Sequence, residues 1–207
     1  MSKKDVSNKV PIYKLKTTEE IMQHYDEWGD KYDQDMVDWN YTGPKETVSI
    51  FKKYAISKNI KVLDAGCGTG LVGIELKKFG YTHVDGADLS KKLLDLIPKG
   101  FYNKLEQIDL NKPLNKKNNI YDAVLCVGTF TFGHVKPPAL DELIRIIKNK
   151  GLICFTVNEG IYEEYGFDKK IKELSSSKSW NIKEFFKSDY IASKNVNAWL
   201  CLAEVIK

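Results

Sequence analysis

The sequence predicts an α/β protein with a doubly wound, mostly parallel sheet of seven strands. Two observations support this prediction. From residue 62 onward, short apolar runs alternate with stretches of helical periodicity, which is typical of parallel strands joined by right-handed crossovers. The last two apolar runs, 183–192 and 197–206, are separated by only four residues. That link is too short for a helical crossover, so these runs are expected to form an antiparallel hairpin at the sheet edge.

The remaining elements follow from local patterns. The run 121–128 is almost continuously apolar after Asp122, as expected of a parallel strand covered on both faces. Ser90 is placed to cap a helix that Pro98 ends. The other parallel strands are predicted at 62–64, 81–88, 105–108 and 152–157, and the helices at 71–79, 90–97, 140–147 and 167–177.

The segment before the first strand is predicted to be helical. Residues 1–16 are polar and unpatterned, and we expect them to be flexible, with a single domain over 17–207. Thr17 and Glu20 have the spacing of a capping box. An aromatic stripe at helical spacing follows, interrupted at Gly29, so one bent helix or two helices are both possible. A further helix begins at Gly43 and Pro44.

Composition narrows the functional class. The 207-residue chain carries 32 basic and 28 acidic residues, for a net charge of +4, which favours a solvated surface over a nucleic-acid interface. Its apolar runs are short of membrane-span length, and Met1–Asp5 has no signal-peptide pattern. The four cysteines are scattered and the histidines are not clustered, so neither disulfides nor a metal site are predicted. We expect a cytoplasmic location and no membrane partner.

The most informative stretch is Val62–Gly70, where an apolar strand ends at Asp64 and glycines then occupy alternate positions. Such a loop, opening a helix, exposes backbone to a ligand. The segment 68–73 also matches G-x-G-x-x-G, with Asp88 about twenty residues further on. A nicotinamide-dependent oxidoreductase is therefore an alternative, but Asp64 would repel a pyrophosphate. The pattern favours a ligand that carries an ammonium group and a ribose.

This stretch resembles motif I of the class I S-adenosylmethionine-dependent methyltransferases, hydrophobic-hydrophobic-Asp/Glu-x-Gly-x-Gly-x-Gly, at every position. The resemblance implies a Rossmann-like fold, S-adenosylmethionine as cofactor and S-adenosylhomocysteine as product. Tyr25-x-x-Trp28, Tyr32-Asp33 and Val127-Gly128-Thr129 are similar to a narrower methyltransferase-like group, typified by the protein of the Williams–Beuren deletion region. That similarity covers about residues 24 to 160, and it implies that the helical segment 17–57 is a lid over the cofactor.

Cofactor-contacting residues are expected beyond the carboxyl ends of the strands. Asp88 would accept hydrogen bonds from the ribose hydroxyls, Asp109 would accept from the adenine amine, and Asp64 would lie near the methionine ammonium. Any one of these aspartates could instead be a helix cap. The full expected set is Tyr25, Tyr32, Asp64, Ala65, Gly66, Gly68, Gly70, Asp88, Leu89, Asp109, Leu110 and Val127.

On the acceptor side, His134 is the candidate general base, because it follows the fourth strand. The alternative for His134 is a hydrogen bond within its loop. Strand-end placement alone suggests further acceptor-side residues, namely Thr129, Phe130, Asn158 and Tyr162.

The acceptor class is narrowed by missing motifs. Amino-methylating nucleic-acid enzymes resemble one another in a polar-Pro-Pro-aromatic motif, whereas this chain reads Val127-Gly128-Thr129-Phe130 after its fourth strand. Cys126 follows leucine, unlike the nucleophile of cytosine-C5 enzymes. A small-molecule acceptor is therefore favoured over protein, and protein over nucleic acid. A non-catalytic cofactor-binding partner subunit is the remaining alternative.

Overall fold

The computed structural model describes residues 7–15 and 17–207, and it confirms the predicted α/β architecture. The strands are β1 Val62–Ala65, β2 Val84–Asp88, β3 Leu105–Gln107, β4 Tyr121–Phe130, β5 Ile147–Asn158, β6 Trp180–Ile191 and β7 Val196–Val205. The helices are α1 Thr18–Asp38, α2 Gly43–Tyr54, α3 Leu71–Lys78, α4 Lys91–Leu96, α5 Ala139–Ile146 and α6 Phe167–Ser176, with short 3-10 turns at Pro11–Lys14 and Ala192–Lys194.

The seven strands form one sheet in the order β3-β2-β1-β4-β5-β7-β6. Strands β1 to β5 pair in parallel, with Val62 opposite both Val84 and Ala123. The predicted carboxyl-terminal hairpin is confirmed, and its second strand, β7, inserts antiparallel between β5 and β6. Strand order reverses at β1, and in such sheets a crevice for ligands opens beyond the carboxyl ends of the strands at that point.

One boundary differs from the prediction in a way that the structure explains. Strand β5 begins at Ile147, which pairs with Tyr121, rather than at residue 152. A register shift follows on β4, and Lys150 adopts a φ of 63° beside Gly151. A Cβ on Gly151 would lie 2.6 Å from the Asp122 carbonyl oxygen. The Lys150-Gly151 pair therefore marks an irregularity within the strand and not its start.

The amino-terminal segment forms one continuous helix, α1, and this resolves the alternative left open at Gly29. Its capping box between Thr17 and Glu20 is present. Gly29 is buried within the helix, where a Cβ would lie 2.8 Å from Cε of Lys92 on α4. Gly29 therefore allows α1 and α4 to approach closely rather than breaking the helix.

The neighbouring segments pack more tightly than expected. Of residues 1–16, predicted to be flexible, 1–6 and 16 lie outside the described residues, and Val10, Ile12 and Tyr13 are buried. In α2, Val48 and Phe51 are fully buried in the core. Helix α2 is thus part of the domain core, and the predicted lid is reduced to α1.

Two large apolar clusters form the core. All four cysteines are free and buried, including Cys126 as expected. Within the described ranges, no helix is long and apolar enough to cross a membrane. The same ranges hold no group of three or more histidine, cysteine or acidic side chains that could bind a metal ion.

Candidate functional site

A pocket of about 680 Å³ lies beyond the carboxyl ends of β1, β2 and β4, next to the loop after β3. Helix α1 contributes one wall, and the ends of the strands, the loops after them and Leu93 of α4 contribute the rest. The lining residues are Thr18, Ile21, Met22, Tyr25, Tyr32, Gly66, Gly68, Asp88, Leu89, Leu93, Ile108, Asp109, Leu110, Asn111, Val127, Gly128, Thr129, Gly133, His134 and Val135.

The glycine loop exposes backbone to this pocket at Gly68. Its φ is 53°, and a Cβ there would have only Leu93 within 4 Å, at 3.9 Å. Gly66 is different, because a Cβ there would lie 1.9 Å from Oγ1 of Thr129. Gly66 therefore makes room for the Thr129 side chain, whereas Gly68 leaves space in which a ligand could meet the backbone.

Asp88 is fixed against the glycine loop. Its Oδ2 accepts a hydrogen bond from the Gly68 amide and its Oδ1 accepts one from the Ser90 amide, each at 2.8 Å. Burial raises the pKa of Asp88, and these amide hydrogen bonds oppose the rise. Each carboxylate oxygen can accept a second hydrogen bond, so Asp88 is oriented and still able to accept from a ligand.

The loop after β3 carries Asp109, which accepts from the Asn111 amide at 2.9 Å and lies 3.3 Å from Nζ of Lys112. The Asn111 side chain donates to the His134 carbonyl at 3.3 Å and accepts from the Lys136 amide at 2.9 Å. Asn111 was not among the predicted site residues. It lines the pocket and joins the loops after β3 and β4.

Asp64, which we expected near the methionine ammonium, directly or through water, does not line the pocket. It is fully buried, and its Oδ2 accepts a hydrogen bond from the Tyr102 hydroxyl at 2.6 Å. Its Oδ1 has no hydrogen-bond partner among the described residues. Burial raises the pKa of Asp64 to about 7, although the Tyr102 hydrogen bond opposes that rise.

His134 lies between its own loop and α1. Its Nδ1 is 2.6 Å from the Phe132 carbonyl oxygen, and its Nε2 is 3.0 Å from the Tyr25 hydroxyl. A carbonyl oxygen can only accept, so Nδ1 carries the proton and Nε2 accepts from Tyr25. Burial lowers the pKa of His134 to about 4, well below its ordinary value of roughly 6.5.

Helix α1 is held over the pocket by polar contacts. Besides the contact of Tyr25 with His134, the Thr69 hydroxyl of the glycine loop donates to Asp33 at 2.6 Å. Asp30 lies 3.4 Å from Nζ of Lys92 on α4. Both predicted α1 tyrosines, Tyr25 and Tyr32, line the pocket.

The structure brings together most of the predicted site residues but not all of them. Ala65 and Gly70 lie next to the pocket without lining it. Phe130 packs in the core, with its ring 5.0 Å from that of Phe167. The Oδ1 of buried Asn158 accepts from the Gly160 amide, and the Tyr162 ring lies 5.0 Å from that of Trp199. Of the predicted acceptor-side residues, only Thr129 and His134 line the pocket.

Several lining residues were missed. Thr18 and Met22 lie on α1 close to the predicted aromatic stripe, so extending that stripe by one turn would have found them. Leu93 belongs to α4 and Ile108 follows β3, and only the assembled fold brings them to the pocket.

Comparison with known proteins finds a methyltransferase domain within the chain. The profile described as "Methyltransferase domain" matches residues 62–151. Human Methyltransferase-like protein 27 is 34% identical over 139 residues, which cover 65% of this chain and 56% of that protein. The chain spans about half the length of the curated relatives it matches.

Two solved structures share the fold. One is the methyltransferase in complex with the Trm112 methyltransferase activator of Haloferax volcanii, with a TM-score of 0.66 at 15% identity over 88% of this chain and 98% of that one. The other is magnesium protoporphyrin IX methyltransferase of Synechocystis, solved with bound S-adenosylmethionine, with a TM-score of 0.59 at 18% identity over 78% and 79%.

The profile match begins at β1 and extends past β4, so it includes the glycine loop, Asp88 and Asp109. These are the residues on which the resemblance to motif I and its neighbouring strand ends was based. The narrower resemblance to the Williams–Beuren group is not required by these matches and stays a prediction. At the level of the superfamily these matches support the predicted resemblance to the class I S-adenosylmethionine-dependent methyltransferases, and residues 62–151 match a methyltransferase domain.

Proposed function

We propose that this protein transfers a methyl group from S-adenosylmethionine to a small-molecule acceptor. The observation that carries the proposal is the pairing of Gly68 with Asp88. Bare backbone faces the pocket at Gly68, and beside it Asp88 is oriented by two amides and can still accept hydrogen bonds. This arrangement suits a ligand that presents a ribose diol against a glycine loop.

The pocket suits the cofactor in its chemistry, because it combines carboxylates with apolar side chains. Asp88 would accept from the ribose hydroxyls, and Asp109 would accept from the adenine amine. Ile108, Leu110 and Val127 provide the apolar surface that a purine ring needs.

Asp64 enters this proposal as a positioning residue. It is buried beneath the start of α3 with Tyr102, whose hydroxyl would also lie 2.4 Å from a Cβ on Gly73. Asp64 therefore supports the glycine loop and the first turn of α3 from behind. Gly70, with a φ of 97°, supports the same turn by adopting a left-handed conformation.

The cofactor supplies a methyl group that is already activated as an electrophile. What the chain has to provide is the alignment of the acceptor with that group and the exclusion of water by α1. We do not assign His134 the role of general base, because its unprotonated nitrogen, Nε2, already accepts a hydrogen bond from Tyr25. Its proposed role is to hold α1 over the pocket.

A small acceptor is favoured because α1 covers the site through contacts on two sides, at His134 and at Thr69. A bulky macromolecular acceptor would have to displace that helix. Protein or RNA methylation and the role of a non-catalytic partner subunit are kept as outcomes of the test.

The first test is calorimetry with S-adenosylhomocysteine. Asp88→Asn removes the charge and one acceptor position, and hydrogen bonds to charged groups contribute roughly 1.5–3 kcal/mol. The dissociation constant should therefore rise about 10- to 100-fold. The matched control is Asp122→Asn, because Asp122 pairs with Lys148 at the opposite end of β4. Equal affinities in wild type and Asp88→Asn, or preferential binding of NAD, would overturn the proposal.

The second test separates the acceptor classes. Cell extract is divided into fractions of small molecules, protein and RNA, and each is incubated with the protein and methyl-labelled cofactor. Label in the small-molecule fraction is expected. Label confined to protein or RNA would reassign the acceptor, and tight cofactor binding with no label in any fraction would favour the non-catalytic subunit.

A further inference from the structure

A second cavity adjoins the cofactor pocket, and its walls are largely aromatic. It shares Tyr25, Tyr32 and Gly128 with the first pocket, so the two spaces meet along these residues. We call it the aromatic chamber. Its lining residues are Val10, Ile12, Tyr13, Tyr25, Trp28, Tyr32, Met36, Trp39, Tyr41, Gly128, Thr131, Tyr190 and Ile191.

Two hydroxyl groups lie at the junction of the chamber with the cofactor pocket. The Tyr41 and Tyr190 hydroxyl oxygens are 3.2 Å apart. A Cβ on Gly128 would lie 2.8 Å from the first oxygen and 3.3 Å from the second. The Gly128 amide in turn donates to Oγ1 of Thr156 at 3.1 Å. Gly128 thus brings a pair of hydrogen-bonding groups close to the point where the two cavities join.

The described lining of the chamber contains no charged side chain. Its tyrosines are held neutral, because burial raises the pKa of Tyr13 to about 12 and raises those of Tyr41 and Tyr190 as well. At the boundary with the first pocket, the basic nitrogen of His134 is engaged by Tyr25. The described chamber therefore offers neither a counter-ion for a charged acceptor nor a base to deprotonate a hydroxyl acceptor.

We infer that the aromatic chamber is the acceptor site and that it takes a small, flat, uncharged nitrogen nucleophile such as an N-heteroaromatic ring. The inference rests on the proposed function. The nitrogen lone pair forms the new N–CH3 bond, and the electron pair of the S–CH3 bond goes to sulfur. The positive charge moves from sulfur to nitrogen, and no proton has to be removed.

The chamber walls suit both the neutral acceptor and the cationic product. The rings of Trp28, Trp39 and Tyr32 line the chamber, and aromatic rings attract the cation that methylation creates. A carboxylate acceptor would be buried without a counter-ion, which is costly. The Tyr41–Tyr190 hydroxyl pair can hydrogen-bond a polar group on the acceptor near the reacting position.

Binding is measured by calorimetry on the full chain, with and without S-adenosylhomocysteine, using three probes of matched shape: isoquinoline, 2-naphthol and 2-naphthoate. Isoquinoline and 2-naphthol should bind, and 2-naphthoate should not. Mass spectrometry with S-adenosylmethionine should then detect N-methylisoquinolinium and no methylated naphthol. Failure of isoquinoline to bind, tighter binding of naphthoate, or methylation of naphthol in preference to isoquinoline would overturn the inference.

Two variants locate the binding. Tyr190→Phe removes one hydroxyl of the junction pair and should weaken 2-naphthol binding about fivefold, the value of one neutral hydrogen bond. Trp28→Leu removes an aromatic face and should weaken both binding probes. The control variants are Tyr54→Phe and Trp199→Leu. In the wild type the Tyr54 hydroxyl contacts Glu184 and the Trp199 ring packs against Phe185. Equal effects of chamber and control variants in folded protein would place the probes elsewhere.

The two proposals fail separately in this design. If the wild-type protein does not bind S-adenosylhomocysteine, the proposed function is wrong. If it binds S-adenosylhomocysteine normally and isoquinoline is not bound, only the assignment of the chamber is wrong.

Discussion

The Nε2 atom of His134 lies 3.0 Å from the Tyr25 hydroxyl oxygen, and this contact joins the loop after β4 to α1. Because the Phe132 carbonyl fixes the proton on Nδ1, the hydroxyl of Tyr25 must be the donor in this hydrogen bond. Protonation of Nε2 would remove the acceptor. The contact therefore depends on a neutral His134, and burial keeps it neutral by lowering its pKa to about 4.

The first prediction concerns that pKa. The imidazole signal of His134 can be assigned by its absence from the NMR spectrum of His134→Gln. In a titration of the wild-type protein, that signal should have its midpoint near pH 4 rather than near the ordinary value of roughly 6.5. His24 and His83 provide the other two imidazole signals in the same spectrum. Since the folded-state pKa is depressed, neutral His134 stabilises the fold above about pH 6.5, and this contribution is lost as pH falls toward 4. A midpoint near 6.5 would return His134 to the list of candidate bases.

The second prediction concerns α1 as a lid. Only Ile21, Gly29 and Met36 of its 21 residues are buried, so its apolar anchoring is small and it should open more easily than the core. Amide exchange over residues 18–38 should be fast without ligand and slow markedly with S-adenosylhomocysteine. Exchange over α2, whose Val48 and Phe51 are fully buried, should be slow in both states. Slow exchange of α1 without ligand would mean that it is ordinary core packing.

The third prediction separates the contact of Tyr25 with His134 from general packing. Tyr25→Phe keeps the ring and removes only the hydroxyl, so it should speed exchange of α1 and weaken S-adenosylhomocysteine binding about fivefold, as expected for one hydrogen bond. Tyr54→Phe removes a hydroxyl that contacts Glu184 and should change neither quantity. Identical behaviour of the two variants would show that the hydroxyl does not hold the helix.

The cofactor half of the site could be predicted because its signals are local in sequence. The glycine loop, Asp88 and Asp109 follow strands, and the parallel sheet brings strand ends to one edge. The proposed acceptor half could not be predicted in the same way. Tyr41 precedes α2 and Tyr190 is the next-to-last residue of β6, and their hydroxyl oxygens lie 3.2 Å apart only because the carboxyl-terminal hairpin joins the sheet.

The prediction of site residues from their position at a strand end also failed in part, because successive side chains of a strand lie on opposite faces of the sheet. Thr129 lines the pocket, whereas the next residue, Phe130, points into the core against Phe155 and Phe167. A strand-end position alone does not say which face a side chain occupies. The pKa of His134 was missed for a related reason, because burial is a property of the assembled loop and not of the sequence around it.

The fourth prediction contrasts two glycines of the loop. Both glycines have a positive φ, 53° at Gly68 and 74° at Gly66, so alanine strains the backbone at either position. Gly68→Ala adds no steric overlap, since its Cβ meets only Leu93 at 3.9 Å, and it should give a folded protein that binds S-adenosylhomocysteine more weakly because the Cβ occupies pocket space. Gly66→Ala should lower the thermal midpoint further, because its Cβ would overlap the Thr129 side chain at 1.9 Å. The geometry thus assigns obstruction of the ligand to a side chain at Gly68. Equal stability losses in both variants would contradict this assignment.

The last prediction concerns Asp64, whose folded-state pKa of about 7 lies well above the ordinary value of roughly 3.9. Between these two values the folded state binds the proton that the unfolded state has released. Stability therefore falls as pH rises from about 4 to about 7, and ionised Asp64 destabilises the fold at neutral pH.

Asp64→Asn keeps an oxygen that can accept from Tyr102 and removes the ionisation. In urea unfolding the variant should be more stable than wild type by on the order of 1–2 kcal/mol at neutral pH, with little difference near pH 4. Asp122→Asn is the control, and its expected change in stability has the opposite sign. Lys148 and the Lys61 amide help to lower the pKa of Asp122, so removing the Asp122 charge should make the protein less stable at neutral pH. If Asp64→Asn is instead less stable at neutral pH, the ionised carboxylate stabilises the glycine loop through a favourable contact, and the raised pKa assigned to Asp64 would be wrong.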